Sequence, residues 1–458
     1  MRIEILTKAN STISLFPIRE SNNIFKLTGD NNQIWMDLEL SDNKFQILWA
    51  NDAVDLLDDS LNAKLDKLLL EVLEAEQSGT ENNESSENEE ISPFNPDDIK
   101  VNFKQFGLRL ISEMIDDEDI DLSPDFQRNF VWSSVQKSRL IESILLRIPL
   151  PMFYFSEDIE GKISVVDGLQ RITTIKEFMD NKFPLKSLEY LKESCEGKYF
   201  RDEGRKVGIE SKYVRWFNQT QFSVNVIDPT SPSKVKYDIF RRINTGGKPL
   251  NNQEIRNCLA GNRLRDVLRE MVSLPSFKTA TDGSIKPTRM DDQEIALRFI
   301  LFYRINESVD GIHDYNGYMD TSLDNITEEL TQDKSIDLDK YVSLFSNAMN
   351  NAEYLLGRRY AFRKVRPNDL LPGASKQLIN KALFVSLTVH LADYRIEDII
   401  SRNSEYDLLN PIANLIESDQ EMLYYLSYGT NGRNNLIYIF EKIKALINST
   451  LNLDNASN

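Results

Sequence analysis

The chain is predicted to be α+β, with a small β-rich module first, a mixed α+β domain in the middle and a helical second half. Three observations predict this. Residues up to about Ala50 run as short alternating segments between Asn, Asn-Asp and Gly turns; Ile163 to Met179 passes from an apolar run to helical spacing across Asp167-Gly168; beyond residue 260, apolar residues recur every three and four positions.

The front segments RIEIL, STISLF, NIFKLTG, IWMDLEL and KFQILWA alternate apolar and polar residues, the pattern of half-buried strands. Leu56 to Leu73 reads as an amphipathic helix. Glu74 to Asp98 holds acids and polar residues, no Lys or Arg and almost no apolar side chains, so it cannot bury enough surface to offset its ordering entropy. It reads as an acidic flexible linker, the other reading being a phosphate-mimicking acidic tail. The expected plan is a β module with its helix over 1–73, a linker over 74–99, a central domain over 100–260 and a helical domain over 261–458.

In the central domain, Phe126, Phe130 and Trp132 flank Gln127 and Arg128, whose polar ends need a partner. Ser133 with Gln136 forms a capping-box pattern, and Val135, Leu140, Ile141, Ile144 and Leu145 supply the apolar stripe of the helix that follows. Pro149 and Pro151 end it, and Met152 to Phe155 is a short aromatic strand. Ile163 to Met179 then predicts strand, tight turn and helix. The first N–H groups of such a helix have no intrahelical partner and its dipole is positive there, so a phosphate is received readily. Gly168 permits close approach, and Gln170 and Arg171 add donors. The competing reading is a simple turn glycine with an arginine that pairs with a nearby acid.

A third cluster, Asn244-Thr245-Gly246-Gly247 with Lys248, Arg241 and Arg242, has the composition of an anion-binding nest, or of a polar loop before a helix capped by Asn251 or Asn252. Later helices are expected over Leu264 to Val272, Asp292 to Tyr303, Leu338 to Tyr354, Lys376 to Leu391, Ile396 to Ser401 and Leu436 to Leu451. In the loop DGSIKPTRMDDQE, Arg289, Asp291, Asp292 and Glu294 fit an acid-rich helix start, and less economically a Mg²⁺ site shared with a nucleotide.

A formal charge of −18 argues against indiscriminate coating of nucleic acid, which needs clustered Lys and Arg. The local exception is GRRYAFRKVRP, where Arg358, Arg359, Arg363, Lys364 and Arg366 interleave with Tyr360 and Phe362; it reads as a nucleic-acid contact or as a solvated helix end. Cys195, Cys258, His313 and His390 are too few and scattered for a zinc centre, so no resident metal is expected; His390 reads as a packed helix residue. No stretch is apolar over the roughly 20 residues that span a bilayer, and the start is not a signal peptide. A cytoplasmic protein with reduced cysteines and no membrane partner is expected.

Taken together, these blocks resemble a known family, the ParB/sulfiredoxin-like domain that forms the nucleotide-using half of GmrSD-type, modification-dependent restriction systems. Phe126-Gln127-Arg128 with Trp132 is similar to its F-Q-R-x-x-x-W block. Asp167-Gly168-Leu169-Gln170-Arg171 is similar to its D-G-Q-Q-R block, with Leu169 where many members carry Gln. Phe240, Asn244, Gly246, Gly247, Leu250, Glu254, Ile255 and Arg256 are similar to the third block. The resemblance covers roughly residues 100 to 390. It implies an NTP with Mg²⁺, of unidentified base, held by Gln127, Arg128, Asp167, Gly168, Gln170, Arg171, Asn244, Thr245 and Gly246, with Asp167, Gln170 and Arg171 in the catalytic roles. It also implies a defence role against foreign or modified DNA, with a separate effector or nuclease protein, since no His-Asn-His cluster is present. If the absent Gln positions a water, Leu169 impairs hydrolysis; if position 169 packs inward, nothing changes. Two other functions fit: a metal-dependent DNA endonuclease using this domain itself, and a non-catalytic adaptor that recruits a nuclease or toxin.

Overall fold

The computed structural model describes residues 3–9, 11–19, 23–29, 33–41, 44–56, 58, 60–78, 100–122, 132–158, 160–243 and 250–451. The chain divides into two units, one formed by residues 92–260 and the other by residues 1–91 together with 261–458.

The alternating front segments become β1 (Ile3–Leu6), β2 (Thr12–Arg19), β3 (Ile24–Thr28), β4 (Ile34–Ser41) and β5 (Lys44–Ala50), an antiparallel meander in sequential order. One face buries Ile3, Ile5, Leu15, Phe25, Leu27, Met36 and Leu38 against Leu61, Leu65, Leu68 and Val72 of α1 (Leu61–Ser78). That helix begins five residues later than expected. The Asp58 carboxylate accepts from the Ser60 N–H at 2.9 Å and from Lys64, a turn that places the helix start after it. The helix also continues through Glu74 to Ser78, into the segment read as linker.

The unit of residues 92–260 follows as β6 (Val101–Gly107), α2 (Leu108–Asp116), β7 (Ile120–Asp121), α3 (Ser134–Leu145), β8 (Phe153–Glu157), β9 (Ile163–Asp167), α4 (Leu169–Met179), α5 (Lys192–Cys195), α6 (Ser211–Gln219), β10 (Gln221–Ile227), α7 (Ser233–Ile243) and α8 (Asn252–Leu259). Its sheet has the order β6-β10-β8-β9-β7, parallel between β10 and β8 and between β7 and β9, antiparallel elsewhere. One sheet face, with Phe106, Phe153, Phe155, Val165, Phe222, Val224 and Val226, is covered by the apolar stripes of α2, α3, α4 and α6. The Ser133–Gln136 capping box forms at the start of α3, and the Asn251–Glu254 box at the start of α8. Glu142 of α3 is buried and accepts from the N–H groups of Glu189, Tyr190 and Leu191, which fixes the start of α5 against α3.

The chain then returns to the first unit with α9 (Asn262–Ser273), α10 (Pro275–Ala280), α11 (Asp291–Asn306), α12 (Met319–Gln332), α13 (Asp339–Leu356), α14 (Lys381–Leu391), α15 (Ile396–Arg402), α16 (Leu409–Ser418), α17 (Gln420–Ser427) and α18 (Arg433–Thr450). Each helix expected in the second half is present, one with a late start, and α10, α12, α16 and α17 form in addition to them. Lys376 to Ile379 is not helical, because Asn380 is the N-cap of α14 and its side chain accepts from the Leu383 N–H at 3.1 Å. The β module packs on α17 and the residue that caps it, with Phe16 6.3 Å from the Tyr424 ring and 4.9 Å from the Tyr428 ring. Among the described residues, no helix is long and apolar enough to cross a membrane.

Candidate functional site

The strand, turn and helix expected over Ile163 to Met179 are β9 and α4, joined by Gly168 alone. Gly168 has φ +103°, a conformation L side chains rarely adopt, and a Cβ there would stand 2.2 Å from a carbon of the Phe153 ring. Both constraints demand glycine. The turn brings the first turn of α4 beside Asp167, at the end of β9.

Leu169 is 4% exposed and belongs to the core, so the residue after the glycine points inward. A leucine here therefore subtracts no polar group from the surface of the turn. Gln170 is half-buried at the second helical position.

Arg171 is the most constrained member. Its guanidinium donates to Asp167 Oδ2 at 2.8 Å, to the Met152 carbonyl at 3.3 Å and to the Pro151 carbonyl. It also lies over the Phe153 ring, 4.0 Å from the ring centroid. Burial holds its pKa below the ordinary arginine value, and Asp167 opposes that shift. Arg171 thus ties three segments together: the Pro151-Met152 lead into β8, the end of β9 and the first turn of α4. The arrangement combines the two readings left open by the sequence, since the arginine pairs with an acid and also stands at the anion-receptive end of a helix.

The neighbours that sequence reasoning missed are Pro151 and Met152, whose carbonyls receive Arg171, and Phe153, which backs it. Their role depends on strand pairing across about 20 residues, for which the local sequence carries no signal. Gln127 and Arg128 lie outside the described residues, as do Asn244, Thr245 and Gly246. Arg241, just before that loop, donates to Asn252 at 3.2 Å and pairs with Asp238.

The remaining candidates lie in the other unit. Arg363 is 1% exposed and donates to the carbonyls of Gln377, Arg358, Ala361 and Thr281 and to the Ser284 hydroxyl. Burial lowers its pKa to about 10. It is a packing arginine, removed from any nucleic-acid surface. Arg359 donates to Ala374 O, Lys364 to the Ser427 hydroxyl, and Arg366 faces Asp369 and Glu417; Arg358 is exposed, 3.9 Å from Asp282. Asp291 and Asp292 open α11 after two consecutive left-handed residues, Arg289 and Met290. Burial, reinforced by Glu294 and Asp292, raises Asp291 to about 7, and burial raises Asp292 to about 6. Glu294 is bridged by Arg298 and by Lys381 at 3.1 Å. Among the described residues, no group of three or more His, Cys, Asp and Glu is placed to hold a metal ion. His390 packs on Phe440 and bonds its carbonyl, with its pKa lowered to about 4 by burial.

No curated protein and no solved structure matches the chain. Residues 111–260 match a family model described as GmrSD restriction endonuclease, N-terminal domain, a stretch that ends where the unit of residues 92–260 ends. That stretch contains the Asp167–Arg171 turn, so the similarity to GmrSD-type restriction endonucleases holds over residues 111–260.

Proposed function

We propose that this chain is a nucleotide-binding, NTP-hydrolysing sensor or regulatory subunit of a prokaryotic anti-phage, restriction-like system acting on foreign or modified DNA. One observation carries the reading. Within the segment similar to a restriction-endonuclease N-terminal domain, a glycine with positive φ presents the start of α4 beside Asp167, Gln170 and Arg171. Such a junction suits a phosphate group: backbone amides donate, the helix dipole favours negative charge, and Arg171 contributes fixed positive charge. In this reading the unit has a ParB/sulfiredoxin-like core, the helix start would hold the NTP phosphates with Mg²⁺, and Asp167 would orient the turn or a water beside the metal. Nucleotide occupancy then licenses a separate effector or nuclease partner.

The test is thermal stabilisation of the chain by each NTP with Mg²⁺, since a ligand that binds only the folded state raises its melting point. A rise of several degrees with one NTP, lost in Gln170→Ala and in Asp167→Asn, is the expected result. Arg171→Ala is less suitable alone, because it also removes bonds to Pro151 and Met152 and so lowers the unliganded melting point. No shift with any NTP in a folded sample refutes the reading and leaves the adaptor function, whose partner would co-purify without nucleotide.

A further inference from the structure

The register of the sheet lines up a row of residues across four strands that the turn alone does not include. Phe103 of β6 pairs with Asn225 of β10, Asn225 with Tyr154 of β8, and Tyr154 with Asp167 of β9. In the adjacent row, Val224 and Phe153 are 0% exposed in the helix-covered core. Successive strand residues face opposite sides, so Phe103, Asn225 and Tyr154 belong to the other side of the sheet. Phe103 is 59% exposed there, and Asn225 and Tyr154 are half-buried. The row is physically joined to the turn: Asn225 Nδ2 donates to Met152 Sδ at 2.9 Å, and the Met152 carbonyl receives Arg171.

We propose that this row is the base-recognition platform of the nucleotide site, with the phosphates at the Gly168 turn and the nucleobase between the Tyr154 and Phe103 rings over Asn225. The proposal rests on the nucleotide reading above. Its dimensions agree with the ligand: two strand spacings of about 4.8 Å place Asn225 about 10 Å from Asp167, within the reach of an extended nucleoside triphosphate. Its chemistry agrees too. Aromatic rings offer stacking surface to any base, and a side-chain amide presents one donor and one acceptor to a base edge. A large, exposed phenylalanine on an edge strand also has little to contribute to the core, which makes it available to a ligand.

Isothermal titration of the full chain with each NTP and with inorganic triphosphate, in the presence of Mg²⁺, separates the two halves of the site. The wild-type chain is expected to bind one NTP more tightly than inorganic triphosphate. Phe103→Ala should weaken that NTP roughly tenfold, the scale of one base–aromatic stack, while leaving triphosphate affinity and the circular-dichroism spectrum unchanged. A variant that binds the NTP as the wild type does overturns the platform and leaves the nucleotide reading standing. So does a wild-type chain that binds triphosphate and every NTP equally. A wild-type chain that binds none of them overturns both.

Discussion

Replacing Gly168 by alanine tests the geometry of the turn directly. The new Cβ would lie 2.2 and 2.7 Å from two carbons of Phe153 and 3.1 Å from a guanidinium nitrogen of Arg171. The ring has little room to retreat: it is fully buried, 4.5 Å from Phe222 and 6.4 Å from Phe155 between centroids, with Arg171 on its face. A non-glycine residue at φ +103° costs about 1–3 kcal/mol in backbone strain, and overpacking a filled core about 1–3 kcal/mol more, so the expected loss is about 4 kcal/mol. Gly161 supplies the control. Its φ is +84° but a Cβ there meets nothing within 4 Å, so Gly161→Ala should lose only the backbone part, about 1–2 kcal/mol. Denaturant unfolding followed by tryptophan fluorescence, with Trp35 and Trp49 both changed to Phe, leaves Trp132 and Trp216 to report on residues 92–260. A loss in Gly168→Ala no greater than in Gly161→Ala would refute the argument that Phe153 enforces the glycine.

Asp291→Asn should stabilise the chain in a pH-dependent way. The folded carboxyl titrates near 7 against 3.8 in the ordinary state, so the wild type loses stability as pH rises through that window and the variant does not. The gain should be absent at pH 4 and reach about 2–4 kcal/mol at pH 8, read from unfolding midpoints at both; a gain independent of pH would contradict the assignment. Leu169→Gln buries an amide in the core and should cost about 2–3 kcal/mol in denaturant titration, whereas unchanged stability would mean that position 169 does not face inward. Arg363→Met should cost about 3–5 kcal/mol by stranding four carbonyls and a hydroxyl, and Arg358→Ala under about 1 kcal/mol; equal effects would place Arg363 on the surface after all.

Local signals were the legible ones. The capping box at Ser133, the N-cap at Asn251, the glycine between β9 and α4, and the five front strands each depend on residues a few positions apart, and each formed as expected. What the sequence hid is set by distant contacts. The carbonyls of Pro151 and Met152 gave no sign of receiving Arg171, because they meet it only once β8 lies beside β9. Arg363 looked like part of a basic surface because its receivers at Thr281 and Ser284 come from another segment. Helix α12 was passed over for a related reason: its acids masked Leu323, Ile326 and Leu330, which are spaced for one buried face.

The packing of Phe16 on Tyr424 and Tyr428 has a consequence for how the chain is made. During synthesis, residues 92–260 leave the ribosome as a continuous segment and have every strand of their sheet in hand once Ile227 has emerged. The β module emerges earlier still, yet the aromatic surface it settles on is translated about 400 residues after it. For that interval, many seconds at ordinary elongation rates, Phe16 is without its tyrosines, and the first unit closes only after the second has had time to fold. Order of birth and order of completion are therefore reversed for the N-terminal strands, and a truncation that removes α17 would be felt at residue 16.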